Sequence, residues 1–211
     1  MERHTLTPPN ESVLIASAQK GDLDAFNALI LFHQDALFSI ALRTLGDEDQ
    51  AADAVQDALI AAFRGLCTFH GGSFRAWLAR TVVNKCYDEY RRSSRHPTLP
   101  LTPIVDGEEL EDGGWLRDPG PSLEARFDDS ELADALEVCL KALPFAARAV
   151  LALVDVDGFS YEEAALTLRI PVGTVKSRLA RARASMRLAL NNFTDLLPSE
   201  YHTFQAMSLQ V

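Results

Sequence analysis

A basic stretch towards the carboxyl end of the chain has the residue types that bind a polyanion. Residues 164–192 hold six basic side chains and no acidic one, although the 211-residue chain has 20 Lys and Arg against 30 Asp and Glu and a formal charge of −10. Lys176, Ser177 and Arg181 lie near its centre. Lysine and arginine bind phosphates and guanine edges, and serine hydrogen-bonds to several bases. The stretch therefore indicates a DNA-binding surface, against the alternative of a solvated basic helix face.

Two predicted helices around these residues form a helix-turn-helix. Ser160 and Glu163 have the spacing of a capping box, which begins a short helix. Residues 168–173 supply a turn, and Thr174 is predicted to cap a second helix that continues to Leu190. The basic side chains then lie on the second helix, which is the one that enters the major groove in DNA-binding proteins of this type.

The amino-terminal half of the chain predicts a bundle of helices. Apolar residues recur every three to four positions in three successive stretches between residues 26 and 86, without the alternation of a strand. The second stretch leaves Asp53, Gln56 and Asp57 on or near its polar side. A run of polar side chains on a helix that is otherwise apolar indicates a solvent-facing surface.

The loop CTFHGGS, residues 67–73, precedes the third stretch and leaves two interpretations open. Taken singly, Phe69 and Trp77 are best explained as packed core aromatics. Aromatic side chains beside polar groups at a Gly-Gly turn also hold unstacked bases in proteins that bind single strands. Helical periodicity does not decide between the two interpretations.

The acidic charge of the chain is concentrated in one segment. Residues 93–130 carry three basic and nine acidic side chains and are rich in proline and glycine, which predicts a flexible linker. It separates a first domain, residues 12–92, from a second domain, residues 131–190, whose net charge is +1. The tail, residues 191–211, has no assigned role and either docks on a domain or frays. The predicted fold is therefore all-α, with two small helical domains joined by an acidic linker.

Composition argues against several other classes of protein. Cys67, Cys86 and Cys139 lie far apart without CxxC spacing, which indicates free or buried thiols and no zinc site. The acidic cluster at residues 108–112 matches no calcium loop, so we expect no metal and no cofactor. No apolar run of 18 to 20 residues and no signal peptide is evident, which favours a cytoplasmic protein without membrane insertion. No nucleophile is paired with a base, so an enzyme is a remote alternative.

The order of the motifs resembles that of the extracytoplasmic-function (ECF) sigma factors of bacteria. The similarity is carried by ALRTLGDEDQAADAVQDA, FRAWLARTVVNKCYDEYRR, ALPFAARAVLALVDVDGFSYEEAA and IPVGTVKSRLARAR, and covers about residues 12–92 and 131–190. The resemblance implies a region-two helical bundle and a region-four helix-turn-helix domain. It also implies a non-catalytic initiation subunit of RNA polymerase.

The resemblance assigns a polymerase-binding role to the first domain. Asp53, Gln56 and Asp57 match the motif that binds the clamp helices of the largest catalytic subunit. The second domain would contact the flap of the second-largest subunit. An anti-sigma factor that covers both polymerase-binding faces is a further partner that the family implies.

The resemblance also assigns the first domain to melting of the minus-ten element. Phe69 and His70 of the loop, together with Asn84, match the positions that capture a flipped base of the non-template strand. Arg80 and Lys85 lie on the same predicted helix as Asn84 and are the basic residues expected to contact that DNA.

The second domain would read the minus-thirty-five element. Lys176, Ser177 and Arg181 match the base-reading and phosphate-binding positions of that domain, and Arg148 matches a supporting phosphate contact. Arg169 stands in the turn where the family usually has glycine. A left-handed backbone at Arg169 would cost on the order of 1 kcal/mol.

One alternative uses the same second domain. A helix-turn-helix regulator would bind operator DNA without becoming a polymerase subunit, and a dimer on a palindromic site would favour it. That alternative does not explain the polar motif at Asp53, Gln56 and Asp57.

Overall fold

The computed structural model describes residues 10–93 and 130–196, and in these ranges the chain is helical and has no strand. The prediction of two all-α domains is confirmed. The linker predicted over residues 93–130 lies, apart from its two end residues, outside the described part of the chain. The first domain consists of α1 Glu11–Ala18, α2 Leu23–Leu45, α3 Glu48–Gly65, a 3-10 turn Leu66–Thr68 and α4 Phe74–Ser93. The second consists of α5 Ser130–Lys141, α6 Phe145–Leu151, a π-helical turn Ala152–Val156, α7 Tyr161–Leu168, α8 Val172–Leu190 and a 3-10 segment Asn191–Leu196.

Side-chain caps begin three helices of the first domain, α2, α3 and α4. The Asp22 carboxylate accepts hydrogen bonds from the main-chain N–H groups of Asp24 and Ala25, at 3.0 and 3.1 Å, and begins α2. The same helix ends at Gly46, whose φ of 74° is in the left-handed region that glycine adopts without strain. The hydroxyl of Ser73 accepts from the N–H of Ala76 at 3.2 Å and fixes the start of α4.

Helix α2 is the central helix of the first domain. Its length of 23 residues, and a mean hydropathy of 1.4 over an 18-residue window, would suffice to cross a membrane, although the sequence analysis identified no such apolar run. That likeness is weak because α2 packs against α1, α3 and α4 and buries side chains such as Leu29, Leu37 and Ile40 in the bundle core. The three positions follow the spacing of one helical face, so the apolar length of α2 serves the core.

One hydrophobic core continues from the first domain into the second. It joins Leu78 and Val82 of α4 to Leu153, Phe159 and other buried residues of the second domain. Helix α4 packs on α7, and α2 packs on α6 and on the π-helical turn. The two described domains are therefore packed face to face.

Polar contacts at this boundary are centred on Arg75 of α4. Its guanidinium lies 4.0 Å from the centre of the Phe159 ring and donates to the main-chain oxygen of Asp157. The Ser39 hydroxyl donates to the carboxylate of Asp157 at 3.2 Å and accepts from Arg43 at 3.3 Å. Asp157 thus meets groups from both α2 and α4, which orders the domains relative to each other.

Two further hydrogen bonds join α7 to the start of α4. The Ser73 hydroxyl donates to the carboxylate of Glu163 at 2.9 Å, and the buried Thr167 hydroxyl donates to the main-chain oxygen of Ala76 at 3.3 Å. Further along α4, Tyr87 and Tyr90 pack on the ring of Phe145 at centroid distances of 5.4 and 5.1 Å. Helix α4 therefore contacts the second domain over most of its length.

The pH dependence of this boundary follows from Asp157. Burial raises the pKa of Asp157 to about 6, although Ser39, Arg43 and Arg75 offset part of that rise. Because the pKa is higher in the packed form than in the unfolded chain, the ionised carboxylate destabilises packing above about pH 6. This destabilisation shrinks as the pH falls below 6 and disappears near pH 4, the ordinary pKa of an aspartate. Asparagine keeps an oxygen that accepts from Ser39 and has no charge to bury.

We expect Asp157→Asn to stabilise the protein at pH 7.5 by roughly 1–2 kcal/mol and to have a smaller effect at pH 5.5. Urea unfolding at both pH values measures the difference from the unmodified protein. Asp155→Asn is the matched control, because Asp155 lies two residues away and is paired with Arg183. A stability difference for Asp157→Asn that is the same at both pH values would contradict the account.

Candidate nucleic-acid and polymerase interfaces

Helices α7 and α8 form the predicted helix-turn-helix. The Ser160 hydroxyl accepts from the N–H of Glu163, and the Glu163 carboxylate accepts from the N–H of Ser160, both at 3.1 Å, so the predicted capping box is confirmed. Arg169 ends α7 with φ 54° and ψ 42°, which is the left-handed conformation whose cost was anticipated. The prediction that Thr174 caps the second helix is wrong, because α8 begins at Val172 and its N-cap residue is Pro171, with no side-chain cap.

Helix α8 has a buried face and a basic face. Val175, Leu179 and Ala182 are buried at the spacing of one helical stripe and hold α8 against α6 and α7. The three residues predicted to meet the minus-thirty-five element, Lys176, Ser177 and Arg181, are all exposed. Ser177 and Arg181 are four positions apart and share a face, so a groove of DNA can reach both.

Internal contacts hold two of the basic side chains of α8. The Arg183 guanidinium donates to both carboxylate oxygens of Asp155, at 2.9 and 2.6 Å, and this pairing raises the pKa of Arg183. The Lys176 ammonium lies 5.6 Å from the centre of the Tyr161 ring, which directs it towards the first turn of α7. Asp155 neutralises one of the six positive charges counted in the sequence, and the charge of Arg181 is turned to solvent.

Helix α3 has an exposed polar face opposite its alanine-rich buried face. Asp53, Gln56 and Asp57 are all exposed on it, so the structure brings the predicted polymerase-binding residues together. Ile60 is 45% exposed and lies one turn further along, at i+3 from Asp57 and i+4 from Gln56. The sequence analysis did not identify Ile60. Its position outside the apolar stripe of α3 is the sequence feature that could have identified it. The face therefore combines carboxylates with one exposed aliphatic side chain.

An open pocket of about 630 Å³ lies between α1 and the loop that joins α3 to α4. Gly71 and Gly72 in its wall have φ values of 106° and 93°, which only glycine adopts readily. The lining consists of Glu11, Ser12, Ile15, Gln19, Cys67, Phe69, His70, Gly71 and Gly72.

The two loop residues predicted to capture a base differ in accessibility. His70 is exposed at the pocket, whereas Phe69 is only 8% exposed. The Phe69 ring packs edge-on against Phe74 and Trp77, at centroid distances of 5.4 and 5.7 Å, and those two rings stack at 5.7 Å. In the described state Phe69 therefore anchors the loop to the bundle and offers little surface to a base.

The α4 residues predicted to meet the minus-ten element lie beyond the pocket. Asn84 is exposed, and Arg80 and Lys85 are half-buried. Arg80 and Asn84 are four positions apart and share a face, but neither they nor Lys85 line the pocket. The loop and the exposed face of α4 are thus two separate parts of the predicted minus-ten surface.

Arg148 is not accessible in this arrangement. It is 6% exposed beneath the end of α2, where one guanidinium nitrogen lies 3.5 Å from the main-chain oxygen of Leu45. The Nε atom has no hydrogen-bond partner, and burial lowers the pKa of Arg148. A phosphate contact from Arg148 requires the second domain to move away from the first.

A buried histidine lies behind the pocket and was not anticipated from the sequence. His33 of α2 is 3% exposed, and its Nε2 lies 3.6 Å from a carboxylate oxygen of Glu11 on α1. Burial, together with the charge of Arg75, lowers the pKa of His33 to about 4, so its ring is neutral at physiological pH. Burial also raises the pKa of the Glu11 carboxyl.

In the part of the chain that the structure describes, the cysteines and the acidic side chains form no metal centre. Cys67 is an exposed free thiol, and Cys86 and Cys139 are buried free thiols. Burial raises the pKa of Cys86 to about 12 and also raises that of Cys139, which makes both thiols unreactive. Within residues 10–93 and 130–196, no group of three His, Cys, Asp or Glu side chains is placed to hold a metal ion. The acidic cluster at residues 108–112 lies outside the described residues.

Two family models match the chain, one in each domain. Sigma-70 region 2 matches residues 29–96, and Sigma-70, region 4 matches residues 133–186. The first match contains α3, the pocket loop and α4, and the second contains α7 and most of α8. Together they define the protein as a two-domain sigma factor.

Curated relatives and solved structures agree with this class. The ECF RNA polymerase sigma-E factor of Escherichia coli K12 is 35% identical over 177 residues, which are 83% of this chain and 92% of that protein. The RNA polymerase sigma-H factor of Pseudomonas aeruginosa is 33% identical over 186 residues, 88% of this chain and 96% of that protein. The structure of CnrH in complex with the cytosolic domain of CnrY has a TM-score of 0.61 and 31% identity, and covers 85% of this chain and 96% of that one.

A second solved structure is RpoE of Bartonella quintana with the anti-sigma factor NepR, at a TM-score of 0.57 and 29% identity, which covers 79% of this chain and 96% of that one. The protein belongs to the ECF group of RNA polymerase sigma factors. Factors of this group direct RNA polymerase to promoters, and this chain is one of them.

Proposed function

We propose that this sigma factor reads a promoter with two surfaces that lie on different domains. The basic face of α8 reads the minus-thirty-five element, and the loop after α3 together with α4 opens the minus-ten element. The observation that carries the proposal is the exposed basic face of a helix-turn-helix within a chain of formal charge −10. Because that charge opposes DNA, a basic helix face turned to solvent is best explained by DNA binding.

On the second domain, Arg181 and Ser177 are proposed to read base edges while Lys176 holds a phosphate. Arginine recognises guanine through two parallel hydrogen bonds, which gives specificity as well as affinity. The Tyr161 ring favours one direction for the Lys176 ammonium and so reduces the ordering that binding requires.

On the first domain, Asp53, Gln56, Asp57 and Ile60 are proposed to dock on the clamp helices of the largest polymerase subunit. Asp53 and Asp57 together give this face a charge of −2, which would attract a basic partner. Ile60 adds a desolvated apolar contact at the edge of the same face. The second domain is proposed to contact the flap of the second-largest subunit.

For the minus-ten element, His70 and its loop are proposed to capture a flipped base. Asn84, Arg80 and Lys85 are proposed to contact the DNA strand that carries it. Phe69 supports the loop from beneath in the described state and reaches a base only if the loop rearranges. Stacking on an aromatic or imidazole ring is tolerant of base identity, so hydrogen bonds from Asn84 supply the specificity.

The two surfaces are too close together to read both elements at once. The minus-thirty-five and minus-ten elements are named for their positions, which are about 25 base pairs apart. At 3.4 Å per base pair this separation is roughly 85 Å. Helix α4 packs on α7, which packs on α8, so the axes of α4 and α8 are about 20 Å apart at 8–10 Å per helix contact. Initiation therefore requires the domains to separate, which also frees Arg148.

The chain between the domains is long enough for that separation. Residues 94–129 number 36 and can reach at most about 120 Å by covalent geometry. The acidic charge of this segment opposes its own binding to DNA and favours a position against basic surfaces of the polymerase.

Further aspects of function follow from the same proposal. The protein contributes recognition and no catalysis, and acts in the cytoplasm, where RNA polymerase meets DNA. Because RpoE of Bartonella quintana is seen with the anti-sigma factor NepR, we propose that a protein of that class also sequesters this chain. An operator-binding regulator is not favoured, because it leaves the region 2 match unexplained.

The proposed function is tested by reconstituted transcription. Core RNA polymerase with this protein should give a run-off product of defined length from a cognate promoter, and core polymerase alone should give none. A scrambled minus-thirty-five element should reduce the product. The absence of any product across a genomic promoter library would contradict the proposal, and DNA binding without a product would favour the regulator.

Arg181→Ala should reduce the preference of the holoenzyme for an intact over a scrambled minus-thirty-five element by about tenfold, because one bidentate contact contributes about 1–3 kcal/mol. Arg183→Ala on the same helix is the matched control, because Asp155 already neutralises that arginine. We expect the control to keep the preference within about twofold. Competition binding with the intact and the scrambled template measures this preference. An equal loss of preference in the two variants would refute the assignment to Arg181.

A further inference from the structure

Gln19, the residue that follows α1, contacts the pocket loop from outside. Its side-chain Nε2 donates to the main-chain oxygen of Phe69 at 2.8 Å and to that of Leu66 at 3.1 Å. Phe69 is 50 residues and Leu66 47 residues away from Gln19 in sequence. They belong to the 3-10 turn and to the first residue after it, just before His70. One amide therefore joins α1 to both ends of that turn.

The geometry makes this contact a restraint on the loop. The two N–H groups of a planar amide point in fixed directions, so two acceptors fix the orientation of two carbonyl groups. The N–H of Phe69 donates to the oxygen of Leu66 at 3.0 Å, which closes the turn that Gln19 holds. Beyond Phe69 come His70 and two glycines with positive φ, where the backbone has most freedom. Gln19 thus sets the point from which the flexible part of the loop starts.

A second restraint acts on the opposite side of the same residue. The ring of Phe69 is held by Phe74 and Trp77 inside the bundle, while its carbonyl is held by Gln19 outside. If the hydrogen bond from Gln19 to the Phe69 carbonyl were lost, only the ring contacts would hold Phe69. The main chain could then rotate about that residue. The position of His70 relative to the pocket would then vary.

Helix α1 is itself fixed to the bundle, so it can act as a support. Ala18 is buried in the core, and Glu11 lies against His33 of α2. Helix α1 and Gln19 precede residue 29, where the region 2 match begins, so that match does not assign them a role. Four residues of α1 and its end, Glu11, Ser12, Ile15 and Gln19, line the pocket.

We propose that Gln19 is a positioning residue for the loop that opens the minus-ten element. This inference rests on the proposed function of that loop. Gln19 acts through the main-chain oxygens of Leu66 and Phe69 and keeps His70 beside the pocket before DNA arrives. Opening of the promoter then does not have to include ordering of the loop.

Gln19→Glu and Gln19→Ala test the proposal in the complete holoenzyme. The first variant keeps the shape of the side chain and replaces both donors by an acceptor, and the second removes the amide. Gln19 is mostly exposed, so neither change opens a cavity in the core. Gln34→Glu is the matched control, because it makes the same change of charge at an exposed position of α2.

Permanganate reactivity of thymines at the minus-ten element reports opening. We expect both Gln19 variants to lower its rate about 5- to 20-fold on duplex promoter, from the loss of two hydrogen bonds. On a template already melted at that element the rate of product formation should return to within about twofold of the unmodified protein. Affinity for core polymerase should match that of Gln34→Glu.

Wild-type opening by both Gln19 variants would overturn the proposal. Equal defects on duplex and pre-melted templates, or a loss of affinity for core polymerase, would also overturn it by indicating a general structural role. Failure of the unmodified protein to open any promoter is a different result, and it would contradict the proposed function itself.

Discussion

Helix α4 packs against both domains at once, and the rest of the structure depends on that double contact. One side of α4 contributes Phe74 and Leu78 to the core of the first domain, and another side carries Arg75 against Phe159 and Asp157 of the second. Its third side, with Asn84, faces solvent. Because the helix that carries the predicted minus-ten residues also holds the domains together, we propose that promoter binding and domain packing are coupled through this helix.

The charge of the chain fits this coupling. A formal charge of −10 opposes non-specific binding to DNA. On α8, the ion pair with Asp155 also neutralises the positive charge of Arg183. Because the chain as a whole is negatively charged, the free protein should bind DNA weakly. Attachment to polymerase through α3 would supply the local concentration that the charge of the chain does not.

The sequence predicted what depends on local patterns. The capping box of Ser160 and Glu163 and the polar face of α3 follow from residues within one turn of each other. The burial of Arg148 and the contacts of Gln19 could not be predicted, because their partners lie about 50 to 100 residues away in sequence. The start of α8 was misplaced because Thr174 has the residue type of a cap, whereas the helix begins two residues earlier without a side-chain cap.

The most direct test of the central claim is the distance between the domains, measured by energy transfer between dyes on Ala28→Cys of α2 and Ala184→Cys of α8. Both positions are exposed, and Cys67→Ser removes the exposed native thiol. The free protein should show dyes within about 30 Å of each other, because α2 and α8 both pack on α6. In the open complex the separation should exceed about 60 Å. Unchanged transfer in a complex that transcribes would contradict the account.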